Sequence, residues 1–473
     1  MKRHLKVPPR GKLLNCKTQH NTHTLKSFIA TTAILLLLVG CSAARQGSTP
    51  PPQKSNALSV LLKNPALQPA HIGISIYDIA RDSFIVNYQH NKFFVPASNI
   101  KIATCYAAMR WLGDSSLSFR VAENDTAIFV EPAGDPSFLH RDFLQQPALE
   151  WLKTQTKPLY FSDQHWQSQQ WGSGWAWSDY DAAYMAERSA LPIYGNTIRW
   201  EQVWAMNPYD DELAATVTSD PPTDWPVNFS INNPDSSFRV ERAFAENYFT
   251  IYEGKEDNPR VELPFVTHGI RSALQILEGV LEKPVHYYDR KLPGSLVWKP
   301  LYSQPLDSIL KTMMTHSDNF LAEQLLLGVS YKLTGILNEQ VAIDSMLKTT
   351  LSDLPDLPRW ADGSGLSRYN LFTPRDFVMI LKKMRAEVGM ERIKTVFSAG
   401  GRGTLANYFM AKEPYLYAKT GTLSGVVTLS GFIDDEKGNP YIFSILVNNH
   451  RATATEVRRA VELYLKTTLR RGL

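Results

Sequence analysis

Two β-hairpin patterns stand at opposite ends of this 473-residue chain, and their placement constrains the fold more than any other feature. Residues 73–78 (GISIYD) and 83–88 (SFIVNY) are β-rich and separated by Ile79-Ala80-Arg81-Asp82, a turn signal between two strands. Residues 424–433 (SGVVTLSGFI) and 440–448 (PYIFSILVN) flank Asp434–Asn439 (DDEKGN) in the same way. The simplest packing joins both ends of the chain in one antiparallel sheet. Apolar residues at helical spacing follow from Ser98 (Ile102, Cys105, Tyr106, Met109, Leu112), closed by Gly113, and recur at 306–328, 375–388 and 452–468. The expected class is α/β of the α+β kind, with the helices at 98–112 and 452–468 on one face of the sheet and the middle helices on the other. Residues 122–297, rich in Trp, Asp, Asn and Pro, interrupt this pattern with short strands and turns (Gly134-Asp135-Pro136, Pro221-Pro222, Asn233-Pro234). They read as one or two inserted β-rich domains in a main body of residues 57–121 and 298–473.

The N-terminal segment reads as an address. Residues 1–40 hold seven Lys/Arg and no acid, and Phe28–Gly40 (FIATTAILLLLVG) is an apolar run of 13 residues, too short for a spanning helix of about 20. Residues 1–40 are therefore expected to be a signal peptide. Leu38-Val39-Gly40-Cys41 is similar to a lipobox, which marks Cys41 for lipidation, and the polar, Pro-rich stretch to residue 56 reads as a tether. These features predict a periplasmic, lipid-anchored protein of the cell envelope. The formal net charge of +4 is concentrated before Cys41, which excludes a nucleic-acid-binding body. Cys16, Cys41 and Cys105 form no disulfide framework and no zinc set, and Cys105 reads as a small core residue. No metal or cofactor motif is present: the His residues lack HExxH spacing and there is no Walker-type loop.

Ser-x-x-Lys on a helix places an amine on the same face as a hydroxyl, within reach of its proton. The chain contains it as Ser98–Lys101, Ser308–Lys311 and Ser345–Lys348. The last two lie inside amphipathic helical patterns, as solvated-face residues. Ser98 follows Val95-Pro96-Ala97 at a strand-to-helix transition, where free N–H groups favour negative charge on an attacking oxygen; the plainer reading is a helix N-cap. Ser317-Asp318-Asn319 reads as a hydroxyl and amide on a helix, although Ser230–Asn232 shows that Ser-x-Asn arises cheaply. Lys419-Thr420-Gly421 stands where strand residues 415–418 run into Thr422, with Gly421 keeping bulk away from a ligand. By itself Lys419 reads as an edge-strand lysine that resists aggregation. A helix start, a hydroxyl pair and a strand edge together are what is needed to surround one amide.

In this order the three motifs resemble the signature of penicillin-binding proteins and serine β-lactamases. The chain is similar above all to the low-molecular-mass class C penicillin-binding proteins, D-alanyl-D-alanine carboxypeptidases and endopeptidases with a long insertion between the first two motifs. The likeness runs through PASNIKIATCYAA (96–108), GDPSF (134–138), SQPLDSILKTMMTHSDNFLAEQLL (303–326), DGSGLSRYNLFTP (362–374), GTLA (403–406) and YAKTGTLSGVVTLSGF (417–432). The segments 119–134 and 200–262 are less typical, which bears on the insert and not on the chemistry.

The resemblance implies the transpeptidase-like catalytic fold and an acyl-enzyme mechanism without cofactor. Ser98 is implied as the nucleophile, Lys101 as its base, and Ser317 as the proton relay to the leaving amine. Asn319 would bind the substrate amide; Lys419, Thr420 and Thr422 would hold a terminal carboxylate. The backbone N–H groups of Ser98 and Thr422 would form the oxyanion hole. Burial and the charge of Lys419 are expected to keep Lys101 neutral. Asp362 and Ser364, between Gly363 and Gly365, read as a tight turn shaping the cleft wall. Partners implied are peptidoglycan peptides, β-lactams and, through the lipid, a membrane; oligomeric state stays open. A serine β-lactamase and a non-catalytic cell-wall-binding lipoprotein are the alternatives, and no deacylating Glu motif supports the first.

Overall fold

The computed structural model describes residues 54–206, 213–230, 233 and 236–469; the expected signal peptide and Cys41 lie outside the described residues. The body opens with α1 (Lys54–Leu62), which begins inside the stretch read as tether, then β1 (His71–Asp78), β2 (Ser83–Tyr88) and α2 (Ile100–Trp111). The interruption holds β3 (Ser115–Glu123), β4 (Ile128–Pro132), α3 (Pro147–Thr154), β5 (Leu159–Phe161), β6 (Thr197–Met206) and β7 (Leu213–Asp220). It continues through β8 (Val227–Ser230), β9 (Arg239–Arg242), β10 (Phe249–Tyr252), β11 (Arg260–Pro264), α4 (Arg271–Leu281), β12 (Val285–Tyr287) and β13 (Lys299–Pro305). The chain then returns through α5 (Leu306–His316), α6 (Asn319–Thr334), α7 (Glu339–Lys348), α8 (Pro374–Val388), α9 (Met390–Val396) and β14 (Ser398–Ala399). It ends with β15 (Leu416–Leu423), β16 (Val426–Asp434), β17 (Pro440–Asn448) and α10 (Ala454–Leu469).

The two hairpins do join. One sheet runs β14-β15-β16-β17-β1-β2, and β1 pairs antiparallel with β17 so that Ser75 faces Ser444. The same cross-strand line continues through Ser430 to Lys419. Its inner strands β16 and β17 are buried on both faces; their apolar residues fill both sides, and the polar ones among them, Thr428, Ser430 and Ser444, are hydrogen-bonded.

The distribution of helices differs from expectation. α2 packs with α5, α6 and α8 against Tyr77, Phe432, Ile442 and Leu446, whereas α10 lies on the opposite face with Ile74, Phe443, Ile445 and Leu61 of α1. The reason is the burial of α2: all residues from Ile100 to Met109 are inside, so it needs helices around it as well as a sheet beneath. α10 carries one apolar stripe and is satisfied by the sheet and α1.

The run 306–328 is not one helix. Ser317 adopts a left-handed conformation (φ 61°) that ends α5, and Asp318 accepts the Leu321 N–H at 2.8 Å to cap α6. Strands β3 and β13, which lead into and out of the interruption, pair with each other in a five-stranded sheet ordered β12-β5-β4-β3-β13. Smaller sheets β11-β6-β7 and β8-β10-β9 complete this part. Its core reaches Leu327 and Tyr331 of α6, while Leu321 and Leu325 of the same helix face α2. α6 therefore joins the two cores, and its first turn carries Asn319. No helix among the described residues is long and apolar enough to cross a membrane.

Candidate active site

Ser98 lies in a single 3-10 turn (Ala97–Asn99) just before α2, and its hydroxyl makes no capping bond. The N-cap reading of Ser98 therefore fails: the residue before α2 is Asn99, whose Nδ2 donates to Ser430 Oγ at 2.6 Å and ties the turn to the sheet. Ala97 is held at φ 47°, a sparsely populated region for an L-residue. What enforces it is close packing: a Cβ on Gly365 would stand 1.9 Å from Ala97 O, and one on Gly421 2.8 Å from Pro96 O and 3.0 Å from Ser98 N. Gly421 thus makes room for the backbone of Pro96 and Ser98 and for Thr428, whose Oγ1 donates to Pro96 O at 2.8 Å. The expected clearance for a ligand is not what this glycine provides.

Lys101, one turn on, is fully buried, and its Nζ donates to Ser98 Oγ at 3.0 Å, Asn319 Oδ1 at 2.6 Å and Ser364 O at 2.7 Å. Burial pulls its pKa down to about 8, against the opposing pull of Asp318, Asp362 and Glu323. Lys419 is also fully buried, so it is no surface lysine; its Nζ donates to Ser317 Oγ at 2.8 Å and Thr420 O at 2.7 Å. Its pKa is held well below the usual lysine range by burial, by Lys101 and by Arg458. The expected repulsion between the two amines is present, and it falls on Lys419.

The left-handed turn at Ser317 is what aims its hydroxyl at Lys419 while Asn319 reaches Lys101; a continuous helix would separate them. Ser317 therefore accepts from Lys419 rather than Lys101. Asn319 Nδ2 donates to Tyr184 O of the insert at 3.0 Å. Along β15 successive side chains alternate, so Thr420, buried beside Tyr408 and Arg458, and Thr422, exposed and bonded to Arg458, share one face of the strand while Lys419 points to the other. β14 pairs only with Tyr417 and Ala418, which leaves the outer edge of β15 from Lys419 onward without a strand neighbour among the described residues. A cleft of about 330 Å³ adjoins Ser317, Asp318 and Asn319 and is bordered by Tyr184, His140 and Arg199.

Several groups escape a reading by motif. Ser364 contributes its carbonyl, not its hydroxyl, and Asp362 is a fully used hub. The Asp362 carboxylate accepts from Gly365 N (2.9 Å), Ser367 N (2.6 Å), Asn370 Nδ2 (2.7 Å) and Trp175 Nε1 (2.9 Å). Glu323 accepts the Ser364 N–H at 2.7 Å and pairs with fully buried Arg188 at 3.3 Å. Burial and Asp362 raise the Glu323 pKa to about 7. The decoy serines stay in α5 and α7: Ser308 and Lys311 are exposed, and Lys348 pairs with Asp344.

The model of the D-Ala-D-Ala carboxypeptidase 3 (S13) family matches residues 54–468. The chain is 25% identical over 423 residues to D-alanyl-D-alanine carboxypeptidase DacB of Haemophilus influenzae, covering 80% of this chain and 86% of that one. It is 25% identical over 444 residues to a D-alanyl-D-alanine carboxypeptidase of an Actinomadura species, covering 84% and 81%. The crystal structure of penicillin binding protein 4 (dacB) from Haemophilus influenzae has the same fold, with a TM-score of 0.69 at 23% identity over 87% of this chain and 99% of that chain. Half-buried Ser98 and buried Lys101 stand together with Asn319 and Lys419, and from the match over residues 54–468 it follows that the chain belongs to the D-Ala-D-Ala carboxypeptidase 3 (S13) family.

Proposed function

We propose that Ser98 is the nucleophile of a D-Ala-D-Ala carboxypeptidase and endopeptidase that acts on peptidoglycan stem peptides, with Lys101 as its base. The observation that carries this is the 3.0 Å contact from Lys101 Nζ to Ser98 Oγ at a fully buried amine. With its pKa near 8, about a tenth of Lys101 is neutral at pH 7. Neutral Lys101 takes the Ser98 proton as Oγ bonds to the substrate carbonyl carbon, and the oxyanion is met by the N–H groups of Ser98 and Thr422. The C–N bond then breaks, and the proton that Lys101 took passes by way of the Ser317 hydroxyl to the departing D-Ala amine, which leaves Lys101 neutral again. Water hydrolyses the acyl ester, with Lys101 again as base.

Asn319 and Tyr184 line the substrate amide, and Thr420 and Thr422, on one face of β15, meet its terminal carboxylate, with Lys419 acting from the other face through Ser317. A strand edge free beyond Ala418 suits an extended peptide laid along β15. The insert, residues 122–297, frames this cleft, since Tyr184 O contacts Asn319 and Trp175 contacts Asp362. The main body of residues 57–121 and 298–473 supplies the chemistry. A cell-envelope location fits a cell-wall substrate, and Cys41 is proposed as the lipid attachment that holds the enzyme at a membrane.

Incubation with penicillin followed by intact mass and peptide mapping tests the reading. One inhibitor mass on the peptide containing Ser98 is expected; an adduct on any other serine overturns it.

A further inference from the structure

The carboxylate side of the cleft has a positive group that none of the three motifs contains. Arg458, in the second turn of α10, reaches across to β15, where its Nη2 donates to Thr422 Oγ1. Its neighbours on the helix are neutralised: Arg459 and Lys466 share Glu462, at 2.8 and 2.9 Å. Arg458 has no carboxylate partner among the described residues, and its Nε is buried without a hydrogen-bond acceptor. Its guanidinium lies over Tyr408, 5.8 Å from the ring centroid, which fixes its plane against the strand. A charged fork, half-buried and unpaired, stands beside an exposed threonine hydroxyl at the free edge of β15.

We propose that Arg458 selects substrates with a free C-terminal carboxylate, by supplying the fixed positive charge at Thr422 and by turning the Thr422 hydroxyl hydrogen toward the substrate. The proposal rests on the placement of the carboxylate against β15 given above. Thr422 Oγ1 accepts from Arg458, so its own O–H is left to donate outward, and a donor that is itself hydrogen-bonded to a cation is the stronger for it. Lys419 is poorly suited to be the sole cation. It is fully buried, and its Nζ is engaged by Ser317 Oγ and Thr420 O. The factors that depress its pKa, burial with Lys101 and Arg458 nearby, do not discharge a guanidinium, which keeps its proton at any working pH. Lys419 then governs Ser317, while Arg458 carries the charge that the carboxylate meets.

The test compares two peptides ending in D-Ala-D-Ala that differ only at the C-terminus, one a free acid and one a carboxamide. The ratio of their kcat/KM values is measured for the full enzyme and for Arg458→Ala, Arg458→Gln, Arg458→Lys and Arg459→Ala. Because both peptides are read on one preparation, a loss of folded enzyme cancels. Arg458→Ala and Arg458→Gln should lower kcat/KM for the acid by about 10- to 100-fold, as loss of a hydrogen bond to a charged group does, and leave the amide within about threefold. Arg458→Lys should recover part of the ratio and Arg459→Ala all of it. An unchanged ratio in Arg458→Ala, or equal losses on both peptides, overturns the proposal. A wild type that labels at Ser98 yet shows no preference for the acid overturns the placement of the carboxylate itself.

Discussion

The Glu323 carboxylate accepts the backbone N–H of Ser364 at 2.7 Å, and the carbonyl of that same residue accepts from Lys101 Nζ at 2.7 Å. A carboxylate in the second turn of α6 thereby sets the position of the amine that faces Ser98. Arg188, fully buried, anchors the arrangement from the insert through Glu323 at 3.3 Å and Glu339 at 3.1 Å. Thr104 secures the adjoining peptide by donating to Gly363 O at 2.7 Å.

Replacing Glu323 by Ala leaves the Ser364 amide without its acceptor and Arg188 with a single carboxylate. Breaking a buried pair in this way costs about 3–5 kcal/mol, to be measured by urea unfolding, and acylation by penicillin should slow in the fraction that remains folded. Glu323→Gln keeps an acceptor for the amide and should fall between the two. A stability within about 0.5 kcal/mol of wild type for Glu323→Ala would remove the structural role.

Acylation should rise about tenfold per pH unit up to roughly pH 8 and level off above it, since the neutral amine is the active form and the Lys101 pKa lies near 8. Stopped-flow acylation by a chromogenic β-lactam between pH 6 and 9.5 reads this directly. Lys101→Arg, which keeps its proton throughout, should not acylate at any pH. A flat profile in the wild type is incompatible with Lys101 as base.

Ser98→Ala should abolish both the penicillin adduct and peptide cleavage. It should keep the wild-type thermal unfolding within a few degrees, because the hydroxyl caps no helix. Ser308→Ala and Ser345→Ala should retain both activities. Loss of the adduct in either decoy variant would contradict the assignment.

Gly365→Ala should disturb the turn that carries Ser98. At φ 88°, with its new Cβ 1.9 Å from Ala97 O, the substitution forces the Ala97-Ser98 backbone to move. A stability loss of about 1–3 kcal/mol is expected from the strain, together with slower acylation. Gly438→Ala provides the comparison: it has φ 79° and nothing within 4 Å. It should lose stability from backbone strain and keep its acylation rate.

Local pattern in the chain was enough for a good part of this protein. β-rich runs at 73–78, 83–88, 424–433 and 440–448 mark the central strands of the main sheet, and the step from strand to helix at Ser98 places Lys101 three residues on, within reach of its hydroxyl. Those features depend on neighbours a few residues apart, which residue type and periodicity encode. Tertiary structure decided the rest. Which face of the sheet α2 occupies follows from its burial on all sides, a property shared by helices of many arrangements. The break at Ser317 is stabilised by the Asp318 cap and by Lys419, 102 residues away, and the apolar spacing of 306–328 runs straight through it. The Ser364 carbonyl is a backbone atom, identical in every residue type, and only its position beside Lys101 distinguishes it. Arg458 acquires its place through the packing of α10 against β15, a contact spanning 36 residues. Groups brought together over such distances leave no periodic trace in the chain, because what selects them is the shape and low dielectric of the folded interior.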